Sequence, residues 1–440
     1  MNKENGFTLV ELLAVIVVLA IILIIASPQI SSTIKESKLK AMRDIAITIA
    51  TNAEREYMVK TSKNQEGSTI TCESLVDMSD DYGNCTLSFN NEGKARIKLE
   101  GAVGGRFDGL LCKGTKNNMD CKEKVVLPGY TDAVELLTSK IGTGGLIEDD
   151  HGDLRYQGSN PNNYVYFNCT DNSNPTSRTC EIWRIVGLFN VDGEQRVKLV
   201  RKDGIGSFSW DSSDAEVNSG YGINQWGPSG SYEGADLMRE LNGDYLNSSL
   251  SENTNWYNGS NNKKEGTFNK KYVLKQGAQE LIGDAIWYTG GVLSNNGLLT
   301  LADAYAAERG TQGKICSSGN TCNDEVERTY TWIGKVGLIY PSDFGYASGN
   351  VNCAMDIASY NNGRGYCDDN WINTRGYRIW TITPTFNSTD ANYIWISTRG
   401  YMNNDWTFVD RCGIFPSVYL ISDIQMKGSG TTSDPYVFAK

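Results

Sequence analysis

Residues 6–11 read Gly-Phe-Thr-Leu-Val-Glu and lead into an apolar stretch that runs to Ala26 with Glu11 as its only charge. Phe7 to Ala26 is 20 residues. As a helix rising ~1.5 Å per residue it spans ~30 Å, the thickness of a bilayer core. A carboxylate at such depth costs roughly 2.5–3.5 kcal/mol on insertion scales, so it calls for a partner. The leader Met1–Gly6 has one basic residue, Lys3. No small-residue cleavage site of the A-x-A type follows the apolar run, which sets the segment apart from a secretory signal peptide.

This combination resembles the class III prepilin signal of the type IV pilins and pseudopilins. The resemblance implies that a prepilin peptidase cuts after Gly6 and that Phe7 becomes the N-methylated amino terminus. Glu11 is then the fifth mature residue and Pro28 the twenty-second, a position where many pilins also carry proline. In that family the acid pairs with the positive amino terminus of a neighbouring subunit, which implies that Glu11 sets the axial register of assembly.

Past Pro28 the pattern turns amphipathic. Met42, Ile45, Ile49 and Ala53 recur at helical spacing, with Lys38, Lys40, Arg43, Glu54 and Arg55 on other faces. One helix is expected over 7–59, membrane-spanning over 7–26, with a kink or local melting at Pro28. Its second half is expected to pack on a small antiparallel sheet within 60–140. There Leu87 and Phe89 precede an Asn-Glu-Gly turn, and Ala95, Ile97 and Leu99 follow it. A short helix over 131–140 closes that domain, and 141–152 reads as a linker.

Residues 153–440 form the larger body. A β-hairpin is expected around Val191-Asp192-Gly193-Glu194. Short helices are expected from about Ala235, in GAQELIGDAIW and in LLTLADAYAAERG, and alternating strands and turns toward the carboxyl end. Trp183–Val186, Leu338–Tyr346, Trp380–Ile382 and Pro416–Leu420 are core-type strand signatures. Their layout resembles modules on Gram-positive surface proteins, similar to C-type-lectin-like and formylglycine-generating-enzyme-like folds. The expected class is therefore α+β: a long amino-terminal helix packed on a small antiparallel β domain, then a large mixed, β-rich, loop-rich domain.

The net charge is −11, which argues against a nucleic-acid partner. Eleven cysteines fall mostly in near pairs: Cys72 with Cys85, Cys112 with Cys121, Cys169 with Cys180, Cys316 with Cys322, and Cys353 with Cys367. Cys412 is left over and could replace a late partner. No C-x-x-C occurs and His151 is the only histidine, so local disulfides in an oxidising compartment fit better than zinc.

Catalysis has little support. His151 sits in the acidic sequence EDDHGD, without a G-x-S-x-G elbow, and reads as a solvated loop residue. No phosphate-binding glycine motif appears, and no cofactor or metal is expected. Calcium through Asp368, Asp369, Asn404 and Asp405 lacks the EF-hand pattern. The dense aromatics from Tyr330 to Tyr419 are expected to be mainly core. Tyr401, Asn404, Asp405 and Trp406, in GYMNNDWTFVD, stand out as a candidate face for a sugar or protein.

The expected function is that of a non-enzymatic, type IV pilin-like subunit. It would sit in the cytoplasmic membrane before assembly and then in an extracellular filament, with a minor or tip position favoured by its bulk. Its partners would be other pilin subunits, the prepilin peptidase and a surface ligand. The alternatives are a pseudopilin of a type II secretion or competence system, and a pilin-anchored enzyme acting on glycans.

Overall fold

The structure is a computed structural model. It describes the chain except residues 1–8, 64–69, 77, 79, 91, 212–221, 249–271, 293–298, 311–325, 359, 362–363, 368–369, 373–377, 386–389, 396–399 and 409–411. Backbone alone is described for Glu11 and for 19–31, 360–361, 364–365 and 390–395. Two compact units result, residues 1–125 and 126–440.

The first unit is built on helix α1 (Leu9–Ser62), which continues through position 28. Along its later half Met42, Ala46, Ile49, Ala50 and Ala53 are fully buried, at the three- and four-residue steps of one helical face. That face covers an antiparallel sheet of β1 (Tyr82–Phe89), β2 (Ala95–Gly101), β3 (Leu110–Thr115) and β4 (Asn118–Glu123), in that order. The expected hairpin is present, with Leu87 opposite Ile97 and Phe89 opposite Ala95. In β2, buried Ala95, Ile97 and Leu99 alternate with partly exposed Arg96 and Lys98, the period of a half-buried strand. Buried Glu54 ties helix to sheet: Oε1 accepts from Ala95 N at 3.2 Å, and Oε2 pairs with Lys116 at 2.5 Å. Disulfides join Cys72 to Cys85 and Cys112 to Cys121.

The expected membrane span over 7–26 lies partly outside the described residues. Among the described residues no helix is long and apolar enough to cross a membrane.

The second unit begins at Val126, so its boundary precedes the expected division at 140/141. The segment read as a linker is built into the fold. Strand β5 (Thr131–Asp132) pairs with a strand near the carboxyl end, and Asp132 then caps α2 (Ala133–Thr138) by accepting from Val134 N and Glu135 N. Strand β6 (Leu146–Glu148) pairs with β7 (Leu154–Tyr156). The short helix expected over 131–140 is present as α2, whereas glycine-rich sequence hid β6 inside the segment read as linker. Gly142, Gly144 and Gly145, all at positive φ, shape the turns rather than loosen them.

The main sheet continues with β8 (Tyr164–Phe167), β9 (Glu181–Val191) and β10 (Glu194–Arg201). The β9–β10 hairpin turns at Asp192 (φ 51°) and Gly193 (φ 80°), as a two-residue turn with both φ positive requires. Helix α3 (Asp236–Glu240) follows, running on as a wider turn over Leu241–Tyr245. GAQELIGDAIW gives one helical turn, Gln276–Gln279, but its end is strand β11 (Ala285–Tyr288). Helix α4 (Leu301–Arg309) is where the sequence placed it.

Strand β12 (Thr331–Gly334) pairs with β11, and β13 (Val336–Gly337) begins the main sheet's edge order. Helices α5 (Pro341–Tyr346) and α6 (Val351–Met355) come next. A second sheet contains β14 (Arg378–Pro384), β15 (Asp390–Trp395) and β16 (Tyr401–Trp406), plus Cys412–Gly413, which pairs in parallel with β14.

Trp183, Trp210, Trp226, Trp287 and Trp380 are fully buried in one core. Several indoles find carbonyls: Trp210 donates to Thr381 O, Trp287 to Gly334 O and Trp380 to Phe208 O, at 2.9 to 3.0 Å. Disulfides join Cys169 to Cys180 and Cys353 to Cys367, while Cys412 is buried in the core outside these pairs. Cys316 and Cys322 lie outside the described residues.

Candidate functional site

Gly6 and Phe7 lie outside the described residues, and Glu11 and Pro28 are placed by backbone alone, within α1. The neighbouring side chains show what this segment presents. Leu9, Val10, Leu12, Leu13 and Val15–Val18 are all between 48% and 84% exposed. An apolar patch this long on a helix marks an interaction surface for protein or lipid.

The candidate ligand face on β16 divides. Tyr401 is buried and takes part in the core side of the strand. Asp405 Oδ2 accepts from Arg378 Nη1 at 3.0 Å, which commits that carboxylate. Asn404 is half-buried. Trp406 is 50% exposed and stacks on Phe408 with ring centroids 5.4 Å apart and 17° between planes. The exposed ring on this strand is thus Trp406, stacked on Phe408, whereas Tyr401 is buried. Asp368 and Asp369 lie outside the described residues, and no group of three metal-ligating side chains occurs among the described ones.

His151 is exposed, as a loop histidine should be, but its ring is not idle. It lies flat on Tyr305, with centroids 3.8 Å apart and planes within 5°. The Arg309 guanidinium lies 3.4 Å from the centre of the same Tyr305 ring. Behind this stack is a buried cluster of charges that sequence reasoning did not single out. Arg155 Nε donates to Asp149 Oδ2 at 2.5 Å and Nη1 to Asp343 Oδ1 at 3.0 Å. Lys198 Nζ donates to Asp343 Oδ2 at 2.5 Å. Glu308 accepts from the Ser342 backbone at 2.8 Å, from its hydroxyl at 2.5 Å, and from Arg309 at 3.2 Å. Arg155, Lys198, Asp343 and Glu308 are each no more than 2% exposed.

Burial raises the Asp343 carboxyl, but Lys198 and Arg155 overcome it and hold the group below its usual range. Glu308 goes the other way. Burial dominates there, and its carboxyl is pushed up to about 7 despite Arg309 and the Ser342 donors. A folded value above the unfolded one means stability that is full below the usual 4.5 and lost as pH rises through 7. The thermal midpoint of the larger unit should therefore fall between pH 5 and pH 8, with roughly 3 kcal/mol traceable to this group. Glu308→Gln should reduce that slope in a pH series of tryptophan-monitored melts, leaving the share of Asp211, whose carboxyl burial also pushes up to about 7.

Above the cluster a cleft of about 320 Å³ opens between the β6–β7 turn and helices α5 and α6. Glu148, Asp149 and Asp150 line one wall, with Tyr346 and Val351 opposite. The charged cluster was not readable in the sequence because its members come from 149, 155, 198, 308 and 343. Only the pairing of β6, β7, β9 and β10 and the seating of α4 and α5 bring them together.

Residues 1–27 match the family described as the prokaryotic N-terminal methylation motif. Neither a curated protein nor a solved structure matches the chain. The motif coincides with the leader, Phe7, Glu11 and the exposed apolar face of α1. The chain carries a type IV pilin-like, class III amino-terminal signal.

Proposed function

We propose that this chain is a subunit of a type IV pilus-like filament. Its amino-terminal helix packs among the helices of neighbouring subunits, and its larger unit is carried as a displayed module. The observation that carries the reading is the methylation motif over 1–27 together with the exposed apolar residues of α1. A helix face of that length needs lipid before assembly and partner helices after it. The second unit, 315 residues from Val126, is bulky for a subunit repeated at close spacing, which favours a minor or tip position. The role is binding rather than catalysis, with Trp406 on Phe408 as the aromatic platform for a surface glycan or protein.

The test is mass spectrometry of the amino terminus in sheared surface filaments and in the membrane fraction. N-methylated Phe7 in filaments supports the reading. Processed protein confined to the membrane favours a pseudopilin. An intact Met1–Gly6 leader in both fractions overturns the proposal. Glu11→Ala should leave cleavage intact but cut filament incorporation. The loss follows from removing the carboxylate that would pair with a neighbour's positive amino terminus. Wild-type incorporation of that variant, measured by quantitative blotting of sheared filaments, counts against the register role.

A further inference from the structure

Lys198 is a primary amine with no access to water, in contact with a carboxylate that also has none. Its Nζ lies 2.5 Å from Asp343 Oδ2, and both side chains are no more than 1% exposed. Aromatic rings enclose it: the centroids of Tyr340, Trp287, Tyr419 and Phe189 are 4.1, 5.2, 5.3 and 5.8 Å from Nζ. The carboxylate is gripped from two further directions. Arg155 Nη1 donates to Oδ1 at 3.0 Å, and the Tyr340 backbone N–H donates to Oδ2 at 2.9 Å. With Nζ on Oδ2, the carboxyl carbon lies within about 4 Å of the amine, close to the separation of a near-attack arrangement.

We propose that Lys198 and Asp343 condense into an intramolecular isopeptide bond that links β10 to helix α5. The reaction balances without any co-reactant: an ammonium and a carboxylate become an amide and one water. The ammonium first passes a proton to Oδ2 across their contact. The neutral amine then attacks Cγ, and the charge that develops on Oδ1 faces the Arg155 guanidinium, which acts as a preorganised electrostatic clamp. The nitrogen loses a second proton, Oδ2 gains it, and the C–Oδ2 bond breaks to release water.

The balance of charge suits the step. Burial pulls the Lys198 ammonium down to about 8, which eases loss of its first proton, although Lys198 and Arg155 hold the accepting Asp343 carboxyl below its usual range. Removing one cation and one anion together also relieves the cluster of two desolvated charges while leaving Arg155 paired with Asp149. The aromatic cage excludes the water that hydrolysis of the amide needs.

The measurement is the denatured, reduced mass of the full-length chain, followed by proteolysis and fragment sequencing. The expected mass is one water, about 18 Da, below that calculated for the processed or unprocessed chain, with a branched peptide containing Lys198 and Asp343. Lys198→Arg should restore the full mass. An unmodified wild-type mass overturns the proposal, and so does a water deficit that maps to any other pair of residues. The wild-type result decides the matter even where the variant fails to fold.

Discussion

Arg155→Leu should destabilise the larger unit by about 3–5 kcal/mol, a large part of the stability of an ordinary domain. The leucine removes the guanidinium that serves three buried carboxylates at once, Asp149 and Asp343 directly and Asp153 at 3.8 Å. Asp343 retains Lys198, but Asp149 is left buried with no described cation of comparable closeness. The ring contacts add to the effect. Arg155 stacks over Tyr346 at 4.2 Å and Phe189 at 4.6 Å, and leucine cannot reproduce that planar fit.

The readout is clean because all ten tryptophans lie beyond residue 182, in the larger unit. Tryptophan-monitored denaturation therefore reports on that unit alone. The double variant Arg155→Leu/Asp149→Leu should recover much of the loss, since it removes a charge together with its partner. A double variant no better than the single one would mean that volume and ring packing, rather than stranded charge, set the cost.

Local chemistry explains which parts of this molecule were readable in advance. The amino-terminal signal is a linear motif, so Gly6, Phe7 and Glu11 stand next to one another in sequence as they do for the processing enzyme. The β1–β2 and β9–β10 hairpins were legible because their turns and alternating strands are contiguous. Helix α4 falls within LLTLADAYAAERG, where the sequence placed it; the structure adds its cap, the Thr300 hydroxyl accepting from Asp303 N. Four of the expected cysteine pairs lie close in sequence and are bonded in the structure.

What was missed depends on distance along the chain. Strand β6 has only three residues, Leu146-Ile147-Glu148, too few to show an alternation, so it read as linker. Its strand character comes from the partner β7, not from propensity. Tyr401 looked like a ligand contact because it sits near Trp406 in sequence, yet its side chain is buried while Trp406 is half-exposed. The buried charges were invisible for the same reason: Lys198 and Asp343 are 145 residues apart. A lysine in the strand RVKLVRK reads as surface until the rings around it are known.

Removing the two disulfides of the first unit should unfold it while leaving the larger unit folded. The unit has a modest core: one helical face, a four-stranded sheet and a loop-rich flank. Small cores leave little margin, so crosslinks carry a greater share of the stability. Cys72–Cys85 and Cys112–Cys121 close sequence separations of 13 and 9. In the chain-entropy account each contributes about 2–4 kcal/mol, and together they approach the whole stability of a domain this size.

The second unit responds differently because its core is far larger and its own disulfides, Cys169–Cys180 and Cys353–Cys367, are left in place. Cys72 and Cys112 are buried but their partners Cys85 and Cys121 are partly exposed, so a reductant would act unevenly on the two bonds. Substitution is the better instrument. A variant with all four cysteines of the first unit changed to alanine should lose amide protection along β1–β4 in hydrogen exchange. Its tryptophan-monitored melt should stay within about 1 °C of the parent, as expected for sites without shared partners. Retained protection across β1–β4 would show that the packing of Met42, Ala46 and Ile49 on the sheet suffices without the crosslinks.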